Sequence, residues 1–209
     1  MIYKTPLFEV PMYKMKASRH AEIKQWMLDN VFTEYEKHGP NESSRNLYSS
    51  YFPGAPKLDN KTFSNFYTKD INNFIDKAGF SKLHKWETRL NFWYNLTFKG
   101  SYQEVHDHLG GPIPISYAAI HYVVFDKAEH ISTVFYNPLE SILKTLQPTT
   151  KDQFRPTDYQ GLQKIFNVEE GDLIIFPSYV PHSVMTQVSE NPRLTVAFNL
   201  SIYEKEAYE

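Results

Sequence analysis

His106, Asp107 and His108 close a short run, SYQEVHDH, whose composition reads as a strand, and Leu109-Gly110-Gly111 follows it. Successive strand side chains point to opposite faces, so His106 and His108 share one face and Asp107 takes the other. The two histidines would have Cα atoms roughly 6–7 Å apart, close enough for their imidazoles to meet on one metal ion. A polar strand end at a sheet rim explains the same residues without any ligand, so the pair needs a further partner. His182 is the candidate. It follows GDLIIFPSYVP, in which a tight turn at Gly171 opens an apolar strand that stops at Pro177, a residue unable to donate to a ladder. A short connection then delivers His182 to the start of the next strand. Three histidines, or two with a carboxylate, leaving coordination positions open, are a non-haem iron arrangement.

The next strand, PRLTVAFN, alternates in an unusual way. Leu194, Val196 and Phe198 make an ordinary core face, whereas Arg193, Thr195, Ala197 and Asn199 make the other. A guanidinium, a hydroxyl and an amide on an inward face need partners. A bound dicarboxylate would supply one, because Arg forms a bidentate pair with carboxylate and Thr adds a hydrogen bond. A surface ion pair at the wet end of the strand is the rival reading of Arg193.

The rest of the chain must position these groups. Of 209 residues, 41% are hydrophobic, 22% charged and 16% aromatic. This suits a globular chain with one sizeable core and leans toward sheet. We expect one domain over residues 1–209, with a mostly helical support over 1–84 and a β core over 85–205. Helices are expected over residues 19–39, with Ser18 as N-cap, and over 61–80; residues 40–60 read as loop. From about residue 85, some eight short aromatic and β-branched runs read as strands. Residues 138–162 suit a long loop or lid. The fold class is α+β, mainly β, with an antiparallel sandwich or barrel at its centre.

Composition also excludes. There is no cysteine, so disulfides, zinc ribbons, iron–sulfur clusters and thiol nucleophiles are ruled out, and a metal must be held by His, Asp, Glu or water. The net charge of −2 gives no global field for nucleic acid or an anionic membrane. The N-terminal run MIYKTPLFEVPMYKMK reads as neither signal peptide nor membrane span, which makes the cytoplasm the default location.

Together, the His-rich strand end, GDLIIFPSYVPHSV and Arg193-Leu194-Thr195, eleven residues after His182, resemble the iron(II)- and 2-oxoglutarate-dependent oxygenases. The resemblance covers about residues 90–203 and points to a subgroup of small phage and bacterial proteins. It implies a double-stranded β-helix, the jelly-roll core shared with cupins, with the N-terminal helices packed on it. It also implies Fe(II) as metal and 2-oxoglutarate as cosubstrate, chelated at its 2-oxo acid end and held at its distal carboxylate by Arg193 and Thr195. Tyr122, Asn95 (eleven residues before His106) and Asn199 are further candidates for cosubstrate contacts, Asn95 and Asn199 alternatively for support behind the metal ligands. Hydroxylation of a substrate with release of succinate and CO2 would follow.

One position departs from the pattern: His108 stands where that family carries Asp. Three arrangements follow. His106, His108 and His182 form a three-histidine face; or a β-bulge turns Asp107 to the metal; or His108 lies near without ligating. The first needs no distortion of the strand, and it leaves the site one unit more positive, which a carboxylate-bearing cosubstrate offsets. A cupin-type enzyme working without 2-oxoglutarate is the main rival, but the cupin glutamate falls on Pro112 or Ile113, and Arg193-x-Thr195 has no cupin role. A non-catalytic β-sandwich binding module is the other. The substrate would be a small molecule or peptide rather than nucleic acid, and a homodimer is left open.

Overall fold

The structure, a computed structural model, describes residues 10–82, 86–110, 114–138 and 163–204. The loop or lid expected over 138–162 lies, apart from Pro138, outside the described residues. A continuous helical run, His20–His38, comes first: α1 (His20–Met27) runs on through a wide π turn (Leu28–Phe32) into α2 (Thr33–His38). Ser18 does not cap it. Arg19 holds the N-cap position without a side-chain bond, while the Ser18 backbone N–H donates to the buried Asp70 carboxylate. The longer α3 (Asn60–Ala78) has the cap chemistry α1 lacks. The Asp59 carboxylate accepts from the Thr62 N–H at 2.8 Å, and Gly79, at φ 87°, closes the C-terminus in the left-handed region.

Among the described residues, ten strands form two antiparallel sheets. They are β1 (Tyr13–Lys16), β2 (Leu47–Ser49), β3 (Trp86–Thr97), β4 (Gln103–His106), β5 (Tyr117–Val124), β6 (Thr133–Tyr136), β7 (Gln163–Ile165), β8 (Asp172–Pro177), β9 (His182–Val184) and β10 (Arg193–Glu204). The larger sheet has the order β1-β8-β5-β10-β3-β2 and the smaller β4-β9-β6-β7. The eight strands from β3 onward occupy the region read as β from sequence. β1 and β2 do not; they fall within the segment read as mostly helical support and within the loop over 40–60, and each extends one edge of the larger sheet.

Strand alternation divides the larger sheet into two working faces. Phe92, Tyr94 and Leu96 of β3, Leu173 and Ile175 of β8, and Leu194, Val196 and Phe198 of β10 pack against Phe63, Tyr67 and Phe74 of α3 in one apolar core. The opposite face of the same strands looks toward the smaller sheet, where Ile120, Tyr122, Ile174 and Phe176 build a second, smaller apolar cluster with Phe135 of β6. The helices thus brace the back of the larger sheet, and the space between the two sheets is left for the polar residues of β3, β4, β9 and β10.

Candidate metal centre

Antiparallel register explains why polar side chains collect between the sheets. Thr195 of β10 pairs with Asn95 of β3 on one side and Tyr122 of β5 on the other. Residues directly opposite in a ladder project to the same face, so these three side chains stand in one row. Across the gap, His106 at the end of β4 pairs with His182 at the start of β9. His108 lies two residues past the end of β4, where its backbone N–H donates to the Ser178 carbonyl at 2.9 Å. It reaches the histidine cluster by this loop anchor rather than by the strand alternation expected from sequence.

The structure brings His106, His108 and His182 together: each offers a ring nitrogen, and the three lie within 4.8 Å of one another. Every Nδ1 faces an oxygen. His106 Nδ1 is 2.8 Å from the Glu104 carbonyl, His182 Nδ1 is 3.1 Å from the Val180 carbonyl, and His108 Nδ1 is 2.6 Å from Asn199 Oδ1. The ring proton therefore belongs on Nδ1, which leaves a lone pair on each Nε2. Those lone pairs converge, with His108 Nε2 and His182 Nε2 only 3.3 Å apart. Two acceptors at that separation repel unless a cation lies between them. A metal about 2.1 Å from each nitrogen needs neighbouring donors about 3 Å apart. Protonation is disfavoured too: burial holds the His108 imidazole at about 4 and the His182 imidazole at about 3, with the neighbouring histidines adding to the depression.

Asp107 does not join them. It is exposed, and its carboxylate accepts from the Leu109 N–H at 2.9 Å. The irregular register that could have turned it inward does occur in β4, but between Gln103 and His106, ahead of both histidines.

Below the histidines, Arg193 is 2% exposed, and its Nε has no hydrogen-bond partner. Its guanidinium lies over the Tyr122 ring at 5.4 Å and the Phe125 ring at 6.0 Å, and among the described residues no carboxylate pairs with it. Burial lowers its pKa. Thr195, 3% exposed, lines the same cavity as Arg193 and the histidines, and Asn95 lines it with its Oδ1 accepting from Ser49 Oγ at 2.8 Å. Tyr122 is fully buried, with its hydroxyl accepting from the Thr133 N–H at 3.2 Å. The Thr133 hydroxyl is buried without a partner. An unpaired cation and an idle hydroxyl donor at the floor of a cavity are what an anionic ligand would satisfy. The residues present fit both a divalent metal and a dicarboxylate.

Two contacts here, those of Trp93 and Gln103, escaped the sequence reading. Trp93 of β3 stacks on His108, with ring centroids 5.9 Å apart and planes 25° apart. Asn199, expected behind a metal ligand or on the cosubstrate, meets the His108 ring. Gln103 turns its carboxamide inward, with Nε2 3.4 Å from His106 Nε2. Of the two missed contacts only that of Trp93 had a signal, since Trp93 shares the face of Asn95 by alternation.

A double-stranded β-helix with a histidine cluster at the mouth and a buried arginine at the floor defines a class, the iron- and 2-oxoglutarate-dependent oxygenases. The chain belongs to it: the family described as "Putative 2OG-Fe(II) oxygenase" matches residues 91–199. Similar solved structures include a prolyl-4-hydroxylase from Pseudomonas putida, at 13% identity and a TM-score of 0.59, covering 91% of this chain and 92% of that one. SnoK, a non-haem α-ketoglutarate-dependent carbocyclase from nogalamycin biosynthesis, is similar at 12% identity and a TM-score of 0.60, covering 92% and 79%. A viral collagen prolyl hydroxylase from Paramecium bursaria Chlorella virus-1, in complex with 2-oxoglutarate, is similar at 11% identity and 0.52, covering 90% and 94%. At such identities the likeness is one of fold. No curated protein matches the chain in sequence. The protein is an Fe(II)- and 2-oxoglutarate-dependent oxygenase, and the cupin and binding-module alternatives are set aside.

Proposed function

We propose that His106, His108 and His182 hold the iron, with no carboxylate among its protein ligands, and that Arg193 and Thr195 hold the distal carboxylate of 2-oxoglutarate. The observation that carries this reading is the convergence of three Nε2 lone pairs, each fixed by an oxygen behind its Nδ1. When bound, iron and 2-oxoglutarate supply the oxygen chemistry that hydroxylates a substrate and releases succinate and CO2. The chain's own residues supply geometry. Asn199 fixes the tilt of the His108 ring, Trp93 packs on its face, and the Val180 carbonyl sets the His182 tautomer. Phe176 and Phe135 pack on the His182 ring and exclude water from behind it. Tyr122 supports Arg193 from below, and Asn95, pinned by Ser49, turns its amide toward the cavity.

Tyr102, exposed, and Gln103, half-buried, stand at the mouth of that cavity. A wider cleft of about 440 Å³ opens in front of the histidines, walled by Tyr51, Phe52 and Trp93. Its charges are Arg45, already paired with Glu104 at 2.9 Å, and Asp107. Such a cleft offers no excess positive charge for phosphates, which favours a small molecule or a peptide as substrate. Among the described residues no helix is long and apolar enough to cross a membrane, and we place the enzyme in the cytoplasm. We also take the chain as one domain, because α1, α3 and both long strands contribute to one core.

The experiment is metal stoichiometry of the purified variants. His106→Ala, His108→Ala and His182→Ala should each lose iron, whereas Asp107→Asn should keep it. If Asp107→Asn loses the metal while His108→Ala retains it, the three-histidine reading is wrong. Arg193→Ala should keep iron and demand far more 2-oxoglutarate.

A further inference from the structure

Regular alternation would put Gln103 and His106 on opposite faces of β4, since they are three residues apart. The ladder shows otherwise. Gln103 pairs with Val184 and His106 with His182, so three steps on β4 span two on β9, and the register shifts between them. This is a β-bulge, a device that re-aims side chains and recurs beside active sites. Its effect is that Gln103 and His106 both line the cavity, together with Val184 and His182 opposite them. Gln103 also lines the outer cleft, so its carboxamide stands at the boundary between the two spaces.

What the amide meets there is specific. His106 Nδ1 is engaged by the Glu104 carbonyl, which leaves His106 Nε2 as an acceptor, and Gln103 Nε2 lies 3.4 Å from it. A metal held by the three histidines takes that lone pair. The Gln103 N–H then loses its acceptor while remaining beside the open face of the metal. An amide donor so placed satisfies itself on an oxygen atom of whatever fills the neighbouring coordination position.

We propose that Gln103 is a positioning residue of this centre: the bulge in β4 aims its carboxamide at the open side of the histidine cluster, where it donates to an oxygen of the metal-bound 2-oxo acid. The proposal rests on the three-histidine reading above and goes beyond it. It concerns the ligand oxygen, not the metal, and that separates the two in an experiment.

The test uses the full chain with Fe(II) under nitrogen, and measures iron affinity first and 2-oxoglutarate affinity second, the latter by the visible absorption of the chelate. Gln103→Met keeps length and volume and removes the donor; Gln103→Ala removes the side chain. Both should bind iron within about threefold of the parent, a change too small to signal a lost ligand. Both should bind 2-oxoglutarate about 10- to 150-fold more weakly, the loss of one charge-assisted hydrogen bond. Gln103→Glu replaces the donor with an acceptor and a negative charge beside the metal, so iron should bind more tightly and 2-oxoglutarate more weakly than in the parent. Unchanged 2-oxoglutarate affinity in Gln103→Met with iron bound overturns the proposal. So does loss of iron in Gln103→Met equal to that in His106→Ala, which would make Gln103 a support of the ligand itself. Failure of His106→Ala to lose iron would instead sink the three-histidine reading.

Discussion

Arg193→Met is the substitution whose consequences run against intuition. Removing a buried side chain of that size ordinarily destabilises. Here the side chain is 2% exposed, its Nε is orphaned, and no carboxylate among the described residues offsets its charge. The effective cost of burying such a charge is several kcal/mol. Its contacts over Tyr122 and Phe125, at 5.4 and 6.0 Å, return about 1–2 kcal/mol as cation–π attraction. Methionine fills much of the volume without the charge, so the ligand-free protein should gain about 1–3 kcal/mol. For a chain of this length that is a rise in Tm of about 2–10 °C. Binding behaves in the opposite sense. The parent should gain about 2.7 kcal/mol when 2-oxoglutarate is present at a hundred times its dissociation constant. Arg193→Met should gain almost nothing at the same concentration. The assay is a thermal melt of both proteins, with Zn(II) present throughout, with and without 2-oxoglutarate. A lower Tm in ligand-free Arg193→Met, or an undiminished rise on adding 2-oxoglutarate, would refute the view of Arg193 as a cation waiting for a carboxylate.

Adjacent residues on β10 should fail in different ways. Phe198→Ala opens the core against Tyr67 and Phe92 and should cost about 3–5 kcal/mol in urea unfolding. Asn199→Ala, one residue on, should leave stability nearly unchanged and weaken metal binding about 10- to 100-fold, read by chelator competition. Stability of the metal-free protein should depend on pH in a predictable sense. His121, fully buried between Tyr67 and His20, is held at about 3 by burial, as His182 is, and His108 at about 4. An unfolded histidine titrates near 6.5. As pH falls through that value the unfolded chain takes up protons the folded chain refuses, so stability is lost on acidification, by up to about 1.4 kcal/mol per pH unit for each histidine. Urea midpoints should fall between about pH 7.5 and about pH 5, and His121→Gln should flatten the decline. A midpoint indifferent to pH over that range would show that these rings are not buried neutral.

Much of this was legible because it depends on alternation. β10 declared its two faces through Leu194, Val196 and Phe198 against Arg193, Thr195 and Asn199, and the structure puts the first set on the helices and the second between the sheets. β8 was legible as an apolar run ended by Pro177 and opened at Gly171, whose φ of 86° favours glycine. What stayed hidden depends on partners distant in sequence. β1 is YKMK and β2 is LYS, too short and mixed to show a period, and they are strands only because β8 and β3 offer them an edge. Gln103 was invisible because a bulge breaks the alternation that would have placed it. His108 was placed with His106, but for a reason the structure replaces: the strand has already ended, and Ser178 anchors the loop.

The central claim is that iron on His106, His108 and His182 and 2-oxoglutarate on Arg193 share one cavity. The most direct measurement is the visible absorption of the chain as Fe(II), then 2-oxoglutarate, are added without oxygen. A charge-transfer band should appear only when both are present and saturate at one iron per chain. It should be absent in His182→Ala, and in Arg193→Met it should need far more 2-oxoglutarate at the same iron content. No band with iron demonstrably bound, or a band indifferent to Arg193→Met, would contradict it.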